Sequence, residues 1–131
     1  MSNPANLKYS REHQWMTGID EDLNVTVSAI GITRYGVDQL GFIKYVQLPG
    51  VGDKLAVGDR CGVVASACHA QDIVSPVSGI VVQTNEFVAT HPVLLSKCPY
   101  DRAWLFKVEV TAVDGELLTV EQYDQLTDAE D

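Results

Sequence analysis

The stretch VGDKLAVGD, residues 51–59, constrains the fold of this 131-residue chain more than any other. Val51-Gly52-Asp53 recurs as Val57-Gly58-Asp59. Glycine accepts positive φ and aspartate bonds its own backbone, so each copy predicts a turn. Two turns so close together leave room only for very short strands with sharp corners. Such spacing fits a small, tightly wound barrel or sandwich and not an open sheet.

The surrounding pattern agrees. Leu23, Val25, Val27 and Ala29 alternate with Asn24, Thr26 and Ser28, the period of a half-buried strand. Leu7 to Met16 reads as an initial strand carrying Tyr9 and Trp15, with His13 in a surface or structural role. Phe42 to Pro49 is a strand ended by the Pro49-Gly50 turn signal. Cys61 to Ser66 and Ala70 to Val74 read as two strands meeting at a tight tip, and Ile80 to Val82 as another. Ala103 to Thr111 alternates again, with Trp104, Phe106, Val108 and Val110 on one face. Trp15, Tyr45, Trp104 and Phe106 are expected in the core.

Helices are marked by their ends. Thr33 caps a helix over Arg34 to Leu40, closed by Gly41. Thr90 is expected to cap a short helix over Val93 to Lys97, with Pro92 in its first turn. Thr119 and Gln122 form a capping box, and Leu118 and Tyr123 a hydrophobic staple, at the start of a C-terminal helix. Tyr123 and Leu126 lie one turn apart and face the body of the protein. The acidic tail from Asp128 to Asp131 frays, because negative charge opposes the dipole there.

The length fits one domain over residues 1–131, with residues 1–6 a mobile N-terminus and 119–131 the C-terminal helix and tail. No run approaches the roughly 18 apolar residues of a membrane span. The start, MSNPANLKYS, lacks a basic stretch and an apolar run. The expected location is cytoplasmic, or the mitochondrial matrix if a leader was removed. The net charge of −9 argues against nucleic acid and is compatible with docking on basic surfaces of partner proteins. Cys61, Cys68 and Cys98 are too few and too scattered for a disulfide framework, and without a C-x-x-C pair no structural zinc site is expected. Cys61 and Cys98 read as small apolar residues. Gly50, Gly52, Gly58, Gly62 and Gly79 lack the setting of a phosphate loop. Asp53, Asp59 and Asp72 are spread over turns and suggest no acid–base pair.

Five stretches together carry a family likeness: YSREHQW, GITRYGVDQLGFIKYVQLPGVGDKLAVGD, GVVAS, SPVSGIVV and CPYDRAWLFKV. They resemble the H protein of the glycine cleavage system, in order, from Tyr9 to the C-terminal helix. The resemblance implies a mostly β, barrel-sandwich hybrid fold of the lipoyl/biotinyl-carrier type. It would have two small sheets, short helices and a C-terminal helix. It implies a shuttle and not an enzyme, with lipoate held covalently on a hairpin lysine. The implied partners are glycine decarboxylase, aminomethyltransferase, dihydrolipoyl dehydrogenase and a lipoate-attaching enzyme, with no nucleic acid and no membrane.

At the tip the likeness breaks. The family pattern reads Glu-Ser-Val-Lys-Ala, and this chain reads Ala65-Ser66-Ala67-Cys68-His69 without a gap. Ser66 matches, Ala65 stands in place of the acid and Cys68 in place of the lysine. No lysine occurs between Gly62 and Val82, and the nearest on either side in the sequence are Lys54 and Lys97. A lysine amine forms a stable amide on a flexible stem, whereas a cysteine forms only a labile thioester. The expectation is an H-protein-like scaffold that is not lipoylated, a non-carrying or regulatory homologue with no catalytic residue and no cofactor. Ser66, Cys68 and His69 mark the family's attachment position.

Alternatives remain beside it. Cys68 with His69 could serve a thiol-based redox role, since a neighbouring imidazole favours thiolate. The pair could contribute to a metal site, although two adjacent residues do not complete a tetrahedron. Nucleophilic catalysis is disfavoured, because neighbours on a strand point to opposite faces. A Cys61–Cys68 disulfide would need about 20 Å of strand to close to roughly 7 Å. An ordinary carrier with an engineered tip is the remaining alternative.

Overall fold

The computed structural model describes residue 4 and residues 7–17, 27–67, 69–100, 102–112 and 117–130. The expectations for most of residues 1–6, for the alternation over Leu23 to Thr26, for Cys68 and for Asp131 lie outside the described residues. In chain order the elements are β1 (Leu7–Tyr9), β2 (Gln14–Thr17), β3 (Val27–Ile32), α1 (Arg34–Leu40), β4 (Ile43–Gln47), β5 (Lys54–Leu55) and β6 (Arg60–Ser66). They continue with β7 (Ala70–Val74), β8 (Ser78–Thr84), α2 (Glu86–Thr90), α3 (Leu94–Lys97), β9 (Phe106–Ala112) and α4 (Val120–Glu130). The strands form a six-stranded sheet in the order β1-β2-β3-β9-β8-β5 and a three-stranded sheet in the order β4-β6-β7. All named pairings are antiparallel.

The repeated turns make the corners. Gly52 and Gly58 have φ of 93° and 89°, a region that favours glycine. Asp53 Oδ2 accepts from Gly50 N at 2.8 Å, and Asp59 Oδ2 from Ala56 N at 2.9 Å. The strand between them, β5, has two residues. Each corner is tied to the body: Gly52 N donates to Val81 O at 2.7 Å and Gly58 N to Ser75 O at 2.9 Å.

The main core draws on both sheets. Met16, Ile30, Ile32, Phe106 and Val108 from one meet Val46, Val64 and Ile73 from the other. Val37 and Leu40 of α1, Val88 of α2 and Leu95 of α3 pack into the same cluster. A second cluster joins Leu7, Tyr9 and Trp15 to Leu118 and Tyr123, so it fastens α4 to β1 and β2. Full burial of side chains this large is worth about 1.5–3 kcal/mol each. Both ends of the capping box form: Thr119 N donates to Gln122 Oε1 at 2.9 Å and Gln122 N to Thr119 Oγ1 at 3.3 Å. Thr33 likewise accepts from Gly36 N, and Gly41 N closes α1 on Val37 O.

Four expectations are corrected. The strand over Leu7 to Met16 is two strands, because His13 at φ 64° turns the chain back. That hairpin sets Tyr9 opposite Trp15. Thr90 caps nothing: it ends α2, and its hydroxyl donates to the carbonyls of Glu86 and Phe87, both at 3.1 Å. The short helix α2 was not foreseen, and α3 starts at Leu94, with Val93 at its N-cap and no side-chain cap hydrogen bond. Tyr45 is 53% exposed. A bulge between Ile43 and Tyr45 inserts Lys44, so Ile43 and Val46 face inward and Tyr45 outward. Trp104 precedes β9 and packs against the second cluster, apart from Phe106, Val108 and Val110 in the first.

Candidate functional site at the hairpin apex

β6 and β7 form a hairpin, with Ser66 the last residue of one strand and Ala70 the first of the other. Ala65 pairs with Ala70, Val64 with Gln71 and Val63 with Asp72. Ser66 N donates to His69 O at 2.8 Å, and His69 N donates to Ser66 Oγ at 3.2 Å. Ser66 therefore closes the turn with both its backbone and its hydroxyl. His69 is exposed.

The base of the hairpin needs a glycine. A Cβ at Gly62 would overlap the carbonyl of Gln47 on β4 and touch Ile73 at 3.0 Å. Close approach of the β6 backbone to β4 is what an alanine there would prevent. The Arg60–Asp72 ion pair at 3.5 Å joins two largely exposed side chains and contributes little.

The outer edge of β7 is fastened by the turn between β1 and β2. Gln14 is 1% exposed, and its carboxamide donates to Val74 O at 2.5 Å and accepts from Val74 N at 2.8 Å. Gln71 Nε2 donates to Glu12 O at 2.7 Å. These contacts satisfy an otherwise open strand edge and hold the hairpin in place. Sequence reasoning missed both glutamines. The signal for Gln14 was a polar residue on the face it shares with buried Met16.

Beside the apex lies an open depression of about 350 Å³, bordered by Asp38, Phe42, Lys44, Ser66, Ala67 and His69. Lys44 reaches it through the β4 bulge, which sets Ile43 opposite Ser66 and Tyr45 opposite Ala65. Space thus brings to the apex a lysine other than Lys54 and Lys97. Phe42 is exposed at its rim.

The remaining candidates lie elsewhere. Burial pushes the Cys61 thiol up to about 12, with Asp59 adding in the same direction. Its Sγ donates to Ile73 O at 3.4 Å, so Cys61 behaves as a small core residue. Asp53 and Asp59 are engaged in their own turns, and His91 stacks on Phe87 with centroids 4.4 Å apart. Among the described residues, no three His, Cys, Asp or Glu side chains converge as a metal site. No described helix is long and apolar enough to cross a membrane.

Two facing antiparallel sheets, very short strands between sharp turns and a projecting hairpin define a barrel-sandwich hybrid of the lipoyl-carrier class. The family model described as glycine cleavage H-protein matches residues 7–130, and the chain belongs to that family. It is 41% identical to the glycine cleavage system H protein of Streptomyces coelicolor, over 94% of this chain and 95% of that one. It is 45% identical to that of Carboxydothermus hydrogenoformans, over 97% and 95% respectively. The crystal structure of a glycine cleavage system H protein from Mycobacterium marinum superposes with a TM-score of 0.91 at 33% identity, covering 96% of this chain and 99% of that one.

Proposed function

We propose that this chain is a single-domain docking homologue of the glycine cleavage carrier that does not hold lipoate. Its scaffold presents the hairpin in the family manner, but the apex reads Ala67-Cys68-His69 and supplies no amine. That absence carries the reading. An amide is the durable link for an acyl arm, and the thioester available to Cys68 exchanges readily with other thiols. Lys44 borders the same depression but belongs to a paired strand, so it lacks the hairpin turn that holds an arm clear of the body.

Without an arm the molecule moves no aminomethyl group and catalyses nothing by itself. It engages glycine decarboxylase, aminomethyltransferase or dihydrolipoyl dehydrogenase as a non-carrying or regulatory subunit, with Ser66, Cys68 and His69 at the contact end. The acidic surface, net charge −9, speeds encounter with basic partner surfaces. The expected compartment is the cytoplasm, or the mitochondrial matrix if a leader is removed.

Affinity purification from native cells, with intact-mass analysis of the captured chain, tests this. Recovery of at least one of the three components with an unmodified chain is the expected result. A dithiolane adduct at Cys68 or Lys44, or recovery of none of the components, overturns it. A lysine codon at position 68 of the native gene would return the chain to the ordinary carriers. An intrachain or mixed disulfide at Cys68 without any of the components would favour the thiol-redox alternative.

A further inference from the structure

The outer face of the six-stranded sheet is covered by α4 over only part of its width. Tyr123 of α4 stacks on Tyr9 of β1 with centroids 4.8 Å apart, and the second cluster continues beyond them to Trp15, Ala29, Tyr100 and Trp104. At that end lies a cleft of about 450 Å³, lined from β1, β2, β3 and β9 together with Tyr100 and Trp104.

The cleft follows from two small residues of β3. Ala29 and Gly31 are two apart on one strand and so share this face. Trp15 pairs with Gly31 and lies across it, since a Cβ built at Gly31 would stand 2.5 Å from the indole. Trp15 Nε1 donates to Ile32 O at 3.1 Å and to Pro99 O at 2.8 Å, which fixes the ring. At the other small position, the short side chain of half-buried Ala29 leaves a floor to the cleft. Thr17 and Lys107 flank that floor. Ala29 pairs with Lys107 on β9, and its N–H donates to Thr17 Oγ1 on β2 at 3.0 Å. With adjacent strands about 4.8 Å apart, the flanking backbones are about 10 Å apart, which leaves room for a ring between the two side chains.

The lining combines aromatic surface with two hydrogen-bond donors. The rings of Trp15 and Tyr100 have centroids 6.3 Å apart, and Lys107 Nζ lies 4.8 Å from the centre of the Trp104 ring. Lys107 is half-buried, no Asp or Glu lines the cleft, and among the described residues no carboxylate pairs with the Lys107 ammonium. Glu109, the next residue on this face of β9, is exposed. Thr17 Oγ1 accepts from Ala29 N, which leaves its hydroxyl hydrogen to donate.

We propose that the cleft binds a small planar aromatic acid, with its ring over Ala29 against Trp104 and its carboxylate between Lys107 and Thr17. Ring faces and a few placed polar groups are what small-molecule sites supply. Charge selects the class. A cationic ring is repelled by Lys107, and a neutral one leaves the ammonium without a counter-charge, as it stands over Trp104. The site is separate from the hairpin apex, which belongs to the β4-β6-β7 sheet, and is independent of whether that apex carries an arm.

Titration of the full chain with 2-naphthoate, and with 2-naphthamide as its neutral counterpart, tests this by nitrogen-15 chemical shifts. Naphthoate should shift the amides of Ala29 and Lys107 and the indole N–H of Trp104 saturably, and leave those of Ser66 and His69 in place. It should bind about tenfold tighter than naphthamide, the order of one charge-assisted hydrogen bond. Lys107→Met keeps an apolar stem beside Trp104 and should bring that ratio to about one. Ala29→Leu fills the floor and should abolish binding of both probes. Trp104→Leu removes a wall and should weaken both, which keeps the test open if Ala29→Leu does not fold. No saturable shifts, shifts confined to other surfaces, equal affinity for acid and amide, or variants that bind as the wild type does overturn the proposal.

Discussion

Lys44 and His69 border one depression, although Lys44 is on β4 and His69 follows β6, with all of β5 and β6 between them in the chain. Register explains the meeting. The bulge at Lys44 sets Ile43 opposite Ser66, the residue that closes the apex turn on His69. An amine thus lies beside the apex but within a sheet.

If the scaffold is intact and only the amine is missing, Cys68→Lys should restore an acyl acceptor. Incubated with a lipoate ligase, lipoate and ATP, the variant should gain one lipoyl group by intact mass. The wild-type chain should gain none, and peptide mapping should find Lys44 unmodified in both.

Gln14, itself buried, donates to the carbonyl of half-buried Val74 and accepts from its N–H. Gln14→Met keeps the volume and removes both of these hydrogen bonds. The expected loss is about 2–4 kcal/mol in urea unfolding. Gln71→Ala, which removes one exposed hydrogen bond, should cost no more than about 1 kcal/mol.

Gly62→Ala should be among the costly single-methyl changes. Its Cβ overlaps the Gln47 carbonyl, a backbone atom that cannot swing aside, so β4 and β6 must separate. A loss of roughly 2–4 kcal/mol is expected. Amide exchange should report it first at β4, an edge strand of that sheet.

Alkaline stability should carry a contribution from Cys61. Its thiol titrates near 9 when free and is pushed up to about 12 by burial, so above pH 9 the folded chain binds more protons than the unfolded one. Stability from this group is complete below pH 9 and falls as pH rises towards 12. Burial also raises the phenols of Tyr9 and Tyr100, which slope the same way. The check is therefore the difference between wild type and Cys61→Val in chemical unfolding from pH 8 to pH 11, where the variant should lose less stability.

Much of the fold was legible where chemistry acts over three or four residues. The Gly-Asp turns, the Thr33 cap with Gly41 and the Thr119–Gln122 box all form as their spacing predicts. The failures share one cause. His13 at positive φ, the bulge that turned Tyr45 outward and the placement of Trp104 with the second cluster depend on partners distant in sequence.

By itself the sequence determined the two Gly-Asp turns, the starts of α1 and α4, the family scaffold and the lack of a lysine between Gly62 and Val82. These are local or compositional facts that no packing can alter. Tertiary structure alone decided that Lys44 borders the apex, that Gln14 fastens β7 and that His13 meets Thr33 through Tyr123. The reason is that sheet register and sheet-to-helix packing bring together residues from distant parts of the chain, and no pattern within either segment records the other's position.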